Sequence, residues 1–159
     1  MKTLSKQRGP RPGRSARVPG VDYGGLDENL GYALRRAQLA GFEAFHRATA
    51  GLSITPPRYS ALTIVGANPG LSQSELGAAL GTARSGAMLL SDWFEARGLA
   101  ERRRRNGDGR AWGLYLTARG KVLVAKVARR VRSQDAAFAR RLTPRELAAL
   151  KKMLSKLAG

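Results

Sequence analysis

The tightest constraint on this chain lies between Leu71 and Thr117, where two short helical patterns run directly into a basic hairpin. Ser72 and Glu75 have the spacing of a capping box, in which each side chain satisfies the other residue's free backbone N–H. Leu76, Ala79 and Leu80 recur at helical spacing, and Gly81 supplies the positive φ that a short turn after a helix often needs. A second helix follows, with Thr82 or Ser85 as its cap, Ala87, Leu90 and Phe94 facing inward, and Gly98 at its end. Asn106-Gly107 and Asp108-Gly109 are hairpin signals, because a type I′ turn requires positive φ. Trp112, Leu114 and Leu116 alternate, which predicts one apolar face on the returning strand. Arg102 to Arg105 occupy the outgoing strand, and Arg110 lies just past the tip. Two helices joined through a glycine turn and followed by an arginine-rich hairpin predict a winged helix-turn-helix. Guanidinium groups at a hairpin tip suit phosphates or a minor groove.

Charge points the same way. The chain carries 29 Lys and Arg against 11 Asp and Glu, a net +18, which favours a polyanionic partner. Nucleic acid comes first and an anionic membrane surface second. No apolar run approaches the roughly 18 residues of a membrane span, and the basic N-terminus lacks the apolar core of a secretory signal. Without cysteine there is no disulfide framework or thiol nucleophile. A cytoplasmic protein is expected, with no membrane partner. His46 is the only histidine, so no tetrahedral metal site is expected. Asp92 and Glu95, one helical turn apart, read as solvated charges and not as an acid/base pair. There is no phosphate-cradling loop of the Walker type. Neither an enzyme nor a cofactor is implied.

Around this centre the chain divides into three parts. Residues 1–25 read as a disordered basic arm: up to Gly20 it has six Lys or Arg, no acid, three Pro and three Gly. Residues 26–54 and 118–159 read as a helical dimerisation region, and 55–117 as the winged helix-turn-helix. The first helix is expected from Leu26, with Asp27 and Glu28 where the macrodipole favours negative charge. Its apolar stripe is Leu30, Leu34, Ala37, Gly41, Phe45 and Ala48. Thr55-Pro56 opens a second helix, which Asn68-Pro69-Gly70 breaks. After the hairpin, Thr117 caps a helix running to about Arg140, with Leu123, Val127, Val131 and Phe138 buried and Arg129, Arg130 and Arg132 wet. Thr143 and Glu146 form a second capping box, ahead of a seam of Leu147, Leu150, Leu154 and Leu157. Nothing downstream covers that seam, so it must pack on the long helices or on a second chain.

The pieces Thr55-Pro56-Pro57-Arg58-Tyr59, Asn68 to Leu76, Glu95-Ala96-Arg97-Gly98-Leu99, Glu101-Arg102-Arg103 and Leu116-Thr117-Ala118-Arg119-Gly120 stand in this order. Over about Leu26 to Leu157 the chain resembles regulators of the multiple antibiotic resistance (MarR) family. The resemblance implies a mostly α fold with a small β-hairpin wing, and a homodimer built by the terminal helices. It further implies a second motif helix in the major groove and a wing in the minor groove. Such proteins mostly repress transcription and release DNA when a small, often aromatic, ligand binds. Two departures stand out. The wing tip is Asp108-Gly109-Arg110, one arginine short of the family's longer form. Gly86, Met88 and Leu89 stand where relatives often carry Thr or a basic residue.

The expected function is a ligand-responsive repressor that binds double-stranded DNA at a pseudo-palindromic operator. The alternative is an architectural DNA-binding protein without a small-molecule switch. The expected DNA contacts are Ser72, Gln73, Thr82, Arg84, Ser85, Arg103, Arg105, Asp108 and Arg110. Arg84 suits a guanine edge, and equally a phosphate contact or a salt bridge to Asp108. A ligand cavity is expected at Phe42, Phe45, His46, Arg58 and Tyr59, suited to an aromatic acid or its coenzyme A thioester.

Overall fold

A computed structural model of the chain describes residues 17–105 and 108–159. The arm up to residue 16, the tip pair Asn106-Gly107 and the side chains of residues 108–110 lie outside the described part.

Six helices and one hairpin follow in the order α1 (Leu30–Ala48), α2 (Pro56–Ala67), α3 (Gln73–Leu80), α4 (Arg84–Glu95), β1 (Ala100–Arg105), β2 (Asp108–Leu116), α5 (Ala118–Phe138) and α6 (Pro144–Ala158). The fold is mostly α with a β-hairpin wing, as the sequence predicts. Its core gathers Leu62 and Val65 from α2, Leu76 from α3, Phe94 from α4, Leu114 from β2 and Val127 from α5, all fully buried. Every element of the central region thus contributes to one cluster, which fixes α4 and the wing relative to each other.

Both capping boxes form. The Ser72 hydroxyl accepts from Glu75 N (3.2 Å) while Glu75 Oε2 accepts from Ser72 N (2.7 Å). Thr143 and Glu146 repeat the exchange at 3.3 and 2.7 Å. Gly81 adopts φ 63°, which lets the turn pass from α3 to α4.

Other local expectations are corrected. α1 starts at Leu30, because the Asn29 side chain accepts from Tyr32 N and caps the helix there. Asp27 and Glu28 belong to a separate 3-10 turn, Gly24–Glu28. Residues 17–25 fold back on that turn: Arg17 meets Asp27 at 2.5 Å and lies over the Tyr23 ring. Thr55 occupies the cap position of α2 without a side-chain hydrogen bond; Pro57, at the second helical position, removes one of the two N–H groups a cap would serve. Neither Thr82 nor Ser85 caps α4; Ala83 holds that place and no side chain caps it.

β1 and β2 pair antiparallel, with Ala100 opposite Leu116 and Arg104 opposite Trp112. The register shifts between Arg104 and Arg105, so Arg105 faces Asp108. Leu71 forms a bridge to Leu114, with Gly70 N donating to Leu114 O (2.9 Å) and Leu114 N to Leu71 O (2.8 Å). A Cβ at Gly113 would lie 2.5 Å from Gly70 O, so only glycine permits this approach. The alternation on β2 is only partly realised: Leu114 is buried and Leu116 half-buried, but Trp112 is exposed because it lies on the strand beyond the bridge to Leu71.

On α5, Val127 is buried and Phe138 exposed. Arg130, expected to be wet, is half-buried and donates to Ala50 O (3.1 Å) at the end of α1. α6 buries no residue and makes no extensive contact with any other element. Leu30 and Leu34 on α1, Leu142 before α6, and Leu150, Leu154 and Leu157 on α6 are exposed with it.

Candidate nucleic-acid interface and effector cavity

α4 presents two opposed faces. Ala87, Ser91 and Phe94 are fully buried, while Arg84, Ser85, Met88, Leu89 and Asp92 are exposed. The buried Ser91 hydroxyl is satisfied by Ala87 O at 2.8 Å, so it costs the core nothing. With no side-chain cap, the first N–H groups of α4 are left for an external acceptor such as a phosphate oxygen. A Cβ at Gly86 would lie 2.6 Å from Thr82 Oγ1, so the glycine leaves room for that hydroxyl over the first turn.

One arginine missing from the expected contacts organises this surface. Arg102 on β1 pairs with Glu95 and, at 2.5 Å, with Asp92, both on α4. Its backbone N–H also donates to Glu95 Oε1 (2.9 Å). With the Gln73 amide oxygen turned towards it, Arg102 reaches α3 as well, through Nη2 at 2.6 Å. Asp92 and Glu95 are therefore neither an acid/base pair nor free solvated charges; they clamp the wing to α4. Arginine suits this place because its planar fork serves several acceptors at once. Only a register linking β1 to α4 reveals the clamp, since the sequence offers merely one arginine among four.

The other expected DNA contacts are spread around the same region. Ser72 and Gln73 open α3, and Thr82, Arg84 and Ser85 stand at the start of α4. Arg103 stacks over Tyr115 at 4.2 Å and pairs with Glu101 at 3.2 Å. Arg105 approaches Glu75 at 3.8 Å. The Glu75 carboxyl is held below its ordinary value of 4.5 by hydrogen bonds from the Ser72 backbone and hydroxyl, with Arg105 adding a smaller attraction. The roles expected of the Asp108 and Arg110 side chains fall outside the described part. A groove of about 570 Å³ runs between α3, α4 and β2, walled by Gln73, Arg84, Met88, Asp92, Arg102 and Trp112.

The five residues expected to form a ligand cavity do not all come together. Phe45 packs on Tyr59 (5.8 Å between centroids) and edge-on to His46 (6.1 Å). His46 is exposed. Arg58 lies over Trp93 at 4.0 Å, with Arg97 on the same indole at 4.1 Å. Phe42 and Phe45 do line a cavity of about 190 Å³, with Pro56 from α2 and Val131, Gln134, Asp135 and Phe138 from α5. A second cavity of about 360 Å³ shares Phe42 and Pro56 and is completed by Pro57, Ser60, Leu80, Thr82 and Leu90. The α5 side chains were not foreseen, because no local spacing connects them with α1.

A glycine-turned helix pair with a hairpin packed against it defines a winged helix-turn-helix protein. Residues 52–111 match the profile of the MarR family. The chain is 35% identical over 85% of its length to a protein named for transcriptional regulation of the hcr operon in Thauera aromatica, covering 82% of that protein. It is 30% identical over 84% of its length to a helix-turn-helix transcriptional repressor of Mycobacterium bovis, covering 96% of it. Among solved structures it is similar to the repressor CouR bound to a 23-mer DNA duplex, with TM-score 0.81, 36% identity and coverage of 87% of this chain and 99% of that one. CouR bound to p-coumaroyl-CoA gives TM-score 0.79 and 34% identity, over 87% of this chain and 97% of that one. The chain belongs to the MarR family of transcriptional regulators. Its relatives are regulators, not enzymes.

Proposed function

We propose that this protein is a homodimeric repressor that binds a pseudo-palindromic operator and is released by an aromatic acyl-coenzyme A thioester. The observation that carries the switch is the shared wall between the two cavities. Phe42 and Pro56 belong to both, and the larger cavity also touches Thr82 just before α4 and Leu90 on it. A ligand seated there touches both α1 and the helix that reads DNA. A dry cavity of about 150 Å³ accepts a benzene ring, so the smaller cavity suits one aryl group. Its polar lining, Gln134 and Asp135, offers acceptors to a phenolic hydroxyl and repels a free carboxylate. That chemistry favours the thioester over the free acid, in keeping with the p-coumaroyl-CoA complex of CouR.

The homodimer is supported by what α6 leaves uncovered. Leu150, Leu154 and Leu157 of its seam, together with Leu30, Leu34 and Leu142, are left exposed by the described residues. A second copy buries such a surface symmetrically.

The experiment titrates aromatic acids and their coenzyme A thioesters against the protein bound to its operator. Release by a thioester, weakened in Phe42→Ala, is expected; a full set without any release speaks against the switch. The charge of +18 gives some weight to a second reading, an architectural DNA-binding protein. Competition with random duplex separates the two, since a regulator should prefer its operator by roughly 10³ or more.

A further inference from the structure

Two apolar residues of α4 lie on the face turned away from the core. Met88 is 47% and Leu89 68% exposed, while the core side of the same helix is completed by Ala87, Ser91 and Phe94. The exposed pair falls on one helical stripe with Arg84 and Ser85, four residues after each. Met88 lines the 570 Å³ groove beside Arg84, Arg102 and Trp112. Among the described residues lining that groove, Arg84 and Arg102 are cations and Asp92, paired with Arg102, is the one carboxylate, so the lining suits a polyanion. Two exposed apolar side chains, continuous with the basic DNA-facing stripe, need an apolar feature inside a polyanionic ligand. In duplex DNA the major groove offers one such group, the C5-methyl of thymine.

We propose that Met88 and Leu89 are specificity-determining residues that read thymine C5-methyl groups in each operator half-site. This rests on the DNA-binding reading above and deepens it. Sequence choice then comes from apolar contact on α4, where hydroxyl or basic side chains are absent at these two positions, and Arg84 and the wing supply polar and phosphate contacts. Met88 adapts to small shifts in base position through its flexible thioether. Leu89, more exposed and stiffer, is the sharper discriminator.

The test starts from a duplex selected out of a random library by the full chain. Each thymine is replaced in turn by deoxyuridine, which keeps Watson–Crick pairing and removes only the methyl. At the positions read by α4, affinity falls roughly fourfold for each methyl removed, the equivalent of about 0.8 kcal/mol per buried CH₂-sized group. Met88→Gln and Leu89→Gln, both at exposed positions, each abolish the thymine-over-uracil preference at one position while other sequence preferences persist. Selective binding that is blind to deoxyuridine overturns the proposal. So does a thymine-over-uracil preference that survives in both variants, because the methyl then acts through DNA shape. If the chain selects no sequence at all, the proposal and the operator reading fall together, an outcome distinct from the first two.

Discussion

At the scale of single residues, Arg102 ties the candidate interface together from beneath. It joins β1 to α4 through Asp92 and Glu95 and reaches α3 through Gln73. Its side chain is 28% exposed, so water screens the pairs only in part. Arg102→Ala leaves two carboxylates a helical turn apart without their cation and frees the wing from α4. A stability loss of about 1 kcal/mol is expected from urea unfolding, discounted for solvent exposure of the partners. DNA affinity should fall by roughly tenfold or more, because a loose wing must be ordered on every binding event. Arg102→Lys should recover little of it, since one ammonium does not replace the fork. An Arg102→Ala chain with unchanged affinity would show that wing and α4 are held by the core alone. The sequence displayed Arg102 to Arg105 as equivalent; pairing register is what sets one of them apart. Gly86 was legible as a departure from the family pattern, but its reason, the nearby Thr82 hydroxyl, is a contact across the turn.

At the scale of elements, the strongest local signals predicted the structure best. Capping boxes are complete within four residues, and both formed as read. Glu75 and Glu146 have carboxyl groups held below 4.5, first by the backbone N–H and then by the hydroxyl of the capping residue. Their contribution to stability is fully present above the unfolded value near 4.5 and is lost as the pH falls through the lower folded values. Chemical denaturation at pH 7, 4 and 3 should show this loss, and Glu75→Gln with Glu146→Gln should flatten the acid limb. An unchanged acid limb would assign it to other carboxylates. The starts of α1 and α4 were less legible: a separate 3-10 turn precedes the Asn29 cap of α1, and Ala83, a residue type that carries no capping signal, holds the cap position of α4. α6 was legible as a helix with an apolar seam, and the missing cover is the informative part. Removing residues 143–159 should convert a dimer to a monomer at micromolar concentration by analytical ultracentrifugation, and weaken operator binding with it. A truncated chain that stays dimeric would move the interface to α1 and α5.

At the scale of the whole molecule, the two cavities lined by Phe42 are where sequence reading reached least far. Phe42 and Phe45 sit one turn apart on α1 and could be found by spacing, but Gln134 and Asp135 come from α5 and meet them only in the folded chain. Arg58, adjacent to Tyr59 in sequence, is drawn away to the Trp93 face. The proposed switch depends on this long-range assembly, and it makes a quantitative demand. A thioester releases DNA only if it binds the DNA-incompetent arrangement more tightly than the competent one. A tenfold loss of operator affinity corresponds to about 1.4 kcal/mol of coupling, and linkage requires the operator to weaken the thioester by the same factor. Calorimetric titration of the effector with and without saturating operator, set beside operator binding with and without saturating effector, should give equal ratios. Phe42→Ala removes the wall common to both cavities, so it should weaken the effector and reduce both ratios together. Loss of effector affinity with both ratios intact would mean that the ligand binds at Phe42 but is coupled to α4 by another route. Effector binding indifferent to the operator would mean that the cavity does not control DNA.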